Sequence, residues 1–429
     1  MPRRRFLQEA VGATTGASAL AVLFPFRTLG SGTAAEGGGF HPEVGGRFKD
    51  LRKEYDLDPG VTYLNHASIG TIPRSVRQAL QAYQKVCESN PWLYIWGEAW
   101  DEAVAETREK AAALLGCRSS EVVLTRSTTE GFNILAHGLH LKPDDEFLFS
   151  SLNHVGASEC WFHQAGRGGF TVRRFDFPVS DAPHLTGGDL VEIHAREIKD
   201  KTRVLIFPHV DNLVGLRHPV AALAARARAM GVEFVAVDAA QSGGMLPLDL
   251  SGMGVDFLAT SCHKWLQAPK GTGFLYVRQG VQAKLDPLMV TWGQKLWEGT
   301  VRIYEDFGTR DLATLLALGD ALDYQRRLGE GRKVSHEREL WRRCKERTRA
   351  ISGLSWCSPG TWSMAASLYC VGLAAAPADQ IFREMFRRHG FVFRPFKTQG
   401  LNSLRLSPHP LNSLQEIDRF FDHLEPLVV

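Results

Sequence analysis

Lys264 sits where a lysine can do chemistry. It lies in Ser261-Cys262-His263-Lys264-Trp265, between an apolar run at 255–259 and a Gly/Pro-rich turn, Pro269-Lys270-Gly271-Thr272-Gly273. A second apolar run follows at 274–277, so the lysine falls in a loop between two predicted strands. Apolar walls disfavour the ammonium form, and a neutral amine forms a Schiff base with an aldehyde. Upstream, 233–238 is a short β-rich run ending in the carboxylate of Asp238, followed by Ala239-Ala240-Gln241. A carboxylate at the C-terminal edge of a buried parallel strand lies where α/β sheets bind ligands. There it can keep a pyridinium nitrogen protonated and make a pyridine aldehyde an electron sink. Each residue alone has a plain alternative: a solvated loop lysine and a turn-capping aspartate. Together, at successive strand ends, they are far more specific.

Asp238-x-x-Gln241 followed by Ser261-x-His263-Lys264 resembles the class V aminotransferase family of fold-type I pyridoxal 5′-phosphate (PLP) enzymes. That family takes in cysteine desulfurases and isopenicillin N epimerases, and the resemblance runs through nearly all of the chain after residue 60. It implies an α/β fold with a large PLP-binding domain on a mostly parallel seven-stranded sheet, plus a smaller C-terminal α+β domain. Lys264 would carry the cofactor, Asp238 would face its ring nitrogen, and Gln241 its ring oxygen.

The elements that must position these residues follow in chain order. A short strand runs into the turn Asn65-His66-Ala67-Ser68-Ile69-Gly70, and by resemblance Asn65 lines the substrate site. Pro73 stands at a favoured first helical position, with Val76, Leu80, Tyr83 and Val86 spaced for one apolar face. The aromatic cluster 91–96 suits a core or a subunit interface. At 122–139 a strand, a hydroxyl-rich turn and a helix follow one another, which places N–H groups and hydroxyls at a positive helix end. Ser127-Thr128-Thr129-Glu130-Gly131-x-Asn133 resembles the family's phosphate-binding loop. The match puts Thr128 and Thr129 on the phosphate, with Ser261 and His263, and Asn133 near cofactor or substrate.

Asn153-His154-Val155 ends the next strand, where the family stacks a His or aromatic residue on the ring. Counting back from Trp161 puts Val155 at that position and His154 one residue early; His154 is the preferred catalytic neighbour. His209-Val210-Asp211-Asn212-Leu213-Val214-Gly215 resembles a stretch lying over the cofactor, with Asn212 donating its amide to the 3′-oxygen or the substrate carboxylate. Strand–helix alternation through 204–238 implies a parallel sheet. Gly308-Thr309 resembles a loop whose hydroxyl reaches the phosphate in a neighbouring subunit, implying a homodimer with shared sites. Arg405-x-Ser407, then Asn412 and a helix with Glu416-Ile417-Asp418, resembles the family's carboxylate-binding segment. It makes Arg405 the fork for the substrate α-carboxylate.

The chain of 429 residues can bury a sizeable core, and its net charge of +3 suggests no polyanionic partner. The basic run 326–349 is interrupted by glutamates and reads as a solvated helix face rather than a nucleic-acid surface. Seven cysteines at no framework spacing argue against a paired disulfide scaffold. No Cys/His pattern suggests a metal site. Arg3-Arg4-Arg5-Phe6-Leu7, a mildly apolar stretch at 10–26 and small residues near Ala34 read as a twin-arginine export signal. The expected division is a signal at 1–35, a segment at 36–60 joining the small domain, a large domain at 61–305 and a small domain at 306–429. The twin-arginine translocase is then a partner, and the destination periplasmic or otherwise extracytoplasmic.

Desulfurases need a nucleophilic cysteine shortly before the carboxylate arginine, and 393–400 holds none. The motifs resemble most the isopenicillin N epimerase-like members, whose exported relatives tailor secreted peptides, including siderophores. The expected reaction is transamination or oxidative deamination at the α-carbon of an amino-acid or peptide-borne substrate, with epimerisation or C–S lysis as alternatives. A non-catalytic PLP-binding sensor would need a DNA-binding module that the chain has no room for.

Overall fold

The computed structural model describes Phe48 and residues 50–429. The expected export signal at 1–35, and most of the segment up to 49, lie outside the described residues. Seven strands form the central sheet: β2 (Val122–Thr125), β3 (Glu146–Ser150), β4 (Thr171–Phe175), β5 (Thr202–Pro208), β6 (Phe234–Asp238), β7 (Phe257–Ser261) and β8 (Gly273–Val277). Their order is β2-β8-β7-β6-β5-β3-β4, and only β8 runs antiparallel to its neighbours. Five of them are buried along their whole length and β5 at all but Arg203, which accounts for their continuous apolar runs. The edge strand β4 instead carries Arg173 and Arg174, charges that blunt an open edge.

Residues alternate between the two faces of the sheet. Leu205, Val235, Val237 and Leu258 join one core, while Val204, Phe234, Ala236 and Ala259 join the other. Helices Thr128–Gly138 and Val155–Gly168 cover the second face; helices Asp101–Leu115, Gly187–Glu197, Val220–Ala229 and Leu312–Leu328 contribute to the first. The parallel sheet with helices on both faces is the architecture that the strand–helix alternation predicts.

The smaller unit is built on a four-stranded antiparallel sheet of β9 (Leu354–Trp356), β10 (Tyr369–Leu373), β12 (Arg394–Thr398) and β13 (Leu401–Leu406), in the order β12-β13-β10-β9. Two short strands, β1 (Thr62–Tyr63) and β11 (Phe391–Val392), pair in parallel beside it. Helices Glu330–Ala350, Ala378–His389 and Leu414–Leu424 supply its core with Leu340, Ile381, Met385 and Phe420.

Packing divides the chain differently from the expected 36–60, 61–305 and 306–429. Leu51 and Tyr55 belong to the large core, and the Tyr55 hydroxyl donates to Gln267 Oε1 at 2.6 Å. Leu64 belongs to the small core. Helix Leu312–Leu328 buries Leu315, Leu316, Leu318 and Leu322 in the large core, so the small unit begins after that helix. Pro73 is the residue just before helix Arg74–Ser89 rather than its first residue, with an extended ψ of 150°.

Candidate active site

Asp238 closes β6 with Pro208 and Ala259 as its register partners on β5 and β7. Its carboxylate is buried and accepts the Ala240 N–H at 2.9 Å. Burial raises its pKa, opposed by that bond and by the cations of Lys264 and His154. Lys264 lies just beyond β7. Burial first, and the like charge of Arg405 after it, bring the ammonium down to about 8, while Asp238 pulls the other way. An amine of this kind is a usable base and nucleophile near neutrality.

The lysine loop is pressed against the turn after β1. Gly70 N donates to His263 O at 2.8 Å, and a Cβ at Gly70 would lie 2.1 Å from Lys264 O. Only glycine allows that approach. Gln241 ties the same two loops: its Oε1 accepts Trp265 Nε1–H at 2.9 Å and its Nε2 donates to Ala67 O at 3.0 Å. One amide hydrogen of Gln241 is left over from these two bonds for a ring oxygen.

Ser127 caps helix Thr128–Gly138, accepting Glu130 N–H at 3.2 Å. Thr128 N–H donates to Ser261 Oγ at 2.9 Å, and the two hydroxyls are 2.8 Å apart. The helix end therefore meets the end of β7, a junction of N–H and O–H donors suited to a dianion. Gly131 permits it: a Cβ there would sit 2.9 Å from Ala259 Cβ. Thr129 is exposed at the same helix end. His263 Nδ1 is buried with no partner, and burial with the charges of Lys264 and Lys270 lowers the imidazole pKa to about 4. Asn133 is one turn along, and its amide donates back to Thr129 O at 2.8 Å.

His154 is exposed, as is Val155 beside it. His154 caps helix Val155–Gly168, its Nδ1 accepting Gly156 N–H at 3.1 Å. Burial lowers its pKa, and it lies in the fields of Asp238, Lys264, Arg405 and Arg394. Val155 is 60% exposed.

Arg405, in β13, is buried without a carboxylate partner among the described residues. Its Nη1 donates to Asn212 O at 2.7 Å; its Nη2 donates to Ser68 Oγ at 2.7 Å and Asn65 Oδ1 at 3.2 Å. Its Nε has no acceptor, and the guanidinium stands 5.1 Å from the Phe396 ring centroid. Burial and the neighbouring Arg394 lower its pKa to about 10. A buried guanidinium held only by neutral acceptors is a place for an incoming carboxylate. Asn212 contributes its carbonyl. The carboxylate of Asp211 accepts the N–H groups of Leu213, Val214 and Leu216 and so fixes that loop. Ser68 and Asp211 were not singled out from the sequence. Ser68 was legible only as part of the quoted turn, and Asp211 has the short side chain that typically organises turns.

Thr309 is not brought to this cluster within one chain. It is exposed and lines a separate cavity of about 460 Å³ with Trp96, Trp292, Trp297 and Arg302. Its loop is anchored at β2: Glu305 accepts Leu124 N–H at 2.9 Å, and Phe307 lies 4.4 Å from the Arg126 guanidinium.

The aminotransferase class-V family matches residues 62–385. The chain belongs to this family. Its cofactor is pyridoxal 5′-phosphate, and its fold is that of the fold-type I PLP enzymes. This class V enzyme is 30% identical over 397 residues to the isopenicillin N epimerase of Streptomyces clavuligerus, covering 89% of this chain and 98% of the epimerase. Among solved structures, apo cysteine desulfurase from Thermococcus onnurineus NA1 is similar with a TM-score of 0.77 and 24% identity, over 88% of this chain and 97% of that one. A variant of C-DES with glycine covalently linked to its PLP cofactor is similar with a TM-score of 0.75 and 23% identity, over 87% and 98%.

The residues present fit PLP. Lys264 offers the amine, buried Asp238 offers an anion for a ring nitrogen, and the Thr128–Ser261 junction with orphaned His263 Nδ1 offers phosphate donors.

Proposed function

We propose that this class V enzyme moves a proton at the α-carbon of an amino-acid or peptide-borne substrate, with transamination or oxidative deamination as the outcome. The observation that carries the reading is Arg405. It is buried, unpaired by any carboxylate among the described residues, and close enough to depress the Lys264 pKa. A substrate carboxylate on Arg405 therefore brings its α-carbon toward that amine.

Bound PLP supplies the electron sink for charge developing at the α-carbon. Arg405 orients the substrate through its planar fork, backed by Asn212 O, Asn65 and Ser68. Lys264, with its pKa near 8, takes a proton from the α-carbon and returns it. Asp238 holds positive charge at the ring nitrogen in a dry setting, where a fixed anion is most effective. His154 excludes water from one side.

Sulfur transfer is not supported. The β12–β13 hairpin carries no cysteine, its tip residue Gln399 bonds Ser151 in both directions at 3.1 and 2.8 Å, and Cys262 is fully buried. Epimerisation is the second reading, favoured by the 30% identity to isopenicillin N epimerase. The holoenzyme incubated in deuterated water with panels of amino acids and peptides separates them. Loss of the amino group with a carbonyl product supports the first reading. Deuterium at an inverted α-carbon with the amine retained supports the second. Persulfide from cysteine at enzymatic rates would overturn both.

Two further parts of the proposal concern assembly and place. The reading includes a homodimer in which Thr309 reaches the cofactor phosphate of a second copy. It is supported by exposed Trp92, Trp96, Met289, Val290, Trp292 and Leu296 near the Thr309 cavity. It also includes folded export by the twin-arginine translocase, supported by Arg3-Arg4-Arg5-Phe6-Leu7. A secreted peptide, such as a siderophore precursor, is then the substrate within reach.

A further inference from the structure

A second reactive pair lies in the small sheet, in the same row as Arg405. β9 and β10 are antiparallel with Val371 opposite Trp356 and Gly372 opposite Ser355. One step further along that register, Cys370 stands opposite Cys357, and Cys357 N–H donates to Cys370 O at 3.0 Å. A directly opposed, hydrogen-bonded antiparallel pair has its Cα atoms about 5.5 Å apart. A disulfide accepts roughly 4.4–6.8 Å. The Cys357 thiol stands 3.7 Å from Ser355 Oγ and donates to Ser355 O at 3.9 Å. Gly372 leaves the room for it: a Cβ there would come within 2.8 Å of Cys357 Sγ and 2.3 Å of Ser355 Oγ.

The pair is asymmetric in the way thiol exchange needs. Cys357 is only partly buried, and its neighbours Cys370 and Ser355 lower its pKa, favouring the thiolate. Cys370 is fully buried, and its thiol is pushed well up. Cys370 is also directly opposite Arg405 on β13. Ser358 joins the same joint to the loop that holds Arg405, accepting Cys370 N–H at 2.7 Å and donating to Val214 O at 2.6 Å.

We propose that Cys357 and Cys370 are a redox-active pair that forms a reversible cross-strand disulfide and thereby changes how tightly Arg405 takes a carboxylate. The oxidant is a small-molecule or protein disulfide. The Cys357 thiolate attacks one of its sulfurs, the S–S bond breaks, and one thiolate leaves. Cys370 then loses its proton, attacks the Cys357 sulfur and expels the second thiolate. Two electrons pass from the cysteine pair to the oxidant, and one S–S bond replaces another. Drawing Cys357 toward Cys370 shifts the adjoining Ser358, and with it the loop whose Asn212 carbonyl holds Arg405, so oxidation changes carboxylate capture. The link to Arg405 rests on the carboxylate role proposed above; the disulfide itself does not.

The test uses holoenzyme equilibrated with excess oxidised or reduced dithiothreitol, alkylated and mapped by mass spectrometry. The expected result is a Cys357–Cys370 linked peptide that reductant removes. Two carbonyl reagents then probe the site: aminooxyacetate, which carries a carboxylate, and methoxyamine, which does not. Oxidation is expected to change aminooxyacetate affinity about fivefold and leave methoxyamine unchanged. Cys357→Ser should ignore the oxidant and bind aminooxyacetate as the reduced protein does. It keeps the test available should Cys370→Ser fail to fold. Both thiols alkylated under excess oxidant would overturn the disulfide. A mapped disulfide with unchanged aminooxyacetate binding would overturn the coupling. Arg405→Lys that keeps the preference for aminooxyacetate over methoxyamine would instead sink the carboxylate role, whatever the cysteines do.

Discussion

At Lys264 three influences compete: burial and Arg405 push the ammonium down, and Asp238 pushes it up. The free amine is the form that captures an aldehyde, and its share grows as pH rises through about 8. In protein stripped of cofactor, the rate of PLP reattachment should therefore rise through that pH, read from the absorbance change. Arg405→Gln removes a like charge, so it should move the midpoint upward; a midpoint unmoved or lower would separate the two groups. Borohydride reduction and peptide mapping should find the pyridoxyl group on Lys264 and not on Lys270, which is exposed in the following turn. Arg405→Lys keeps the charge and loses the planar fork. It should retain bound PLP while weakening the amino-acid-induced absorbance change about tenfold, in line with a lost charge-assisted bond of roughly 1.5–3 kcal/mol.

Helix Thr128–Gly138 works as a unit, because its end is useful only while it lies against β7. Gly131 sets that distance, with no room for a side chain before Ala259. Gly131→Val should push the helix outward and part Thr128 from Ser261. Overpacking of this kind costs about 1–3 kcal/mol, so PLP retention should fall by roughly tenfold or more. Equilibrium dialysis against PLP measures it, with far-UV circular dichroism showing the helices intact. Retention at wild-type level would mean that the junction does not hold the phosphate. The β12–β13 hairpin is the other unit with a testable consequence. Its tip is spent on Ser151, and it offers no thiol, so free cysteine should yield no persulfide above background.

For the whole molecule, the exposed apolar groups around the Thr309 cavity predict a second copy. Sedimentation should show a dimer, and Val290→Glu, at a position 83% exposed, should shift it toward monomer with loss of PLP. A monomeric protein that keeps its cofactor would end the shared-site reading. The proposed twin-arginine export fits the same need for a finished fold. A site assembled from strand ends and two units exists only after folding, so cofactor loading should precede transport. Replacing Arg3, Arg4 and Arg5 by Lys preserves charge and should trap PLP-loaded protein in the cytoplasm. Fractionation that recovers the variant outside at wild-type levels would rule the route out.

The sequence by itself determined the parallel sheet, the family and the cluster of Lys264, Asp238, Thr128 and Ser261. These are legible because they depend on short-range physics: apolar runs become buried strands, and a hydroxyl before a helical run becomes a cap. The tertiary structure decided what depends on distant parts meeting. Arg405 finds Asn65 and Ser68 more than three hundred residues away, and Asn212 serves it through a carbonyl that no sequence pattern could select. Cys357 and Cys370 become a pair only through strand register. The depressed pKa of Lys264 belongs to the same class, since desolvation exists only once the two units close over the amine.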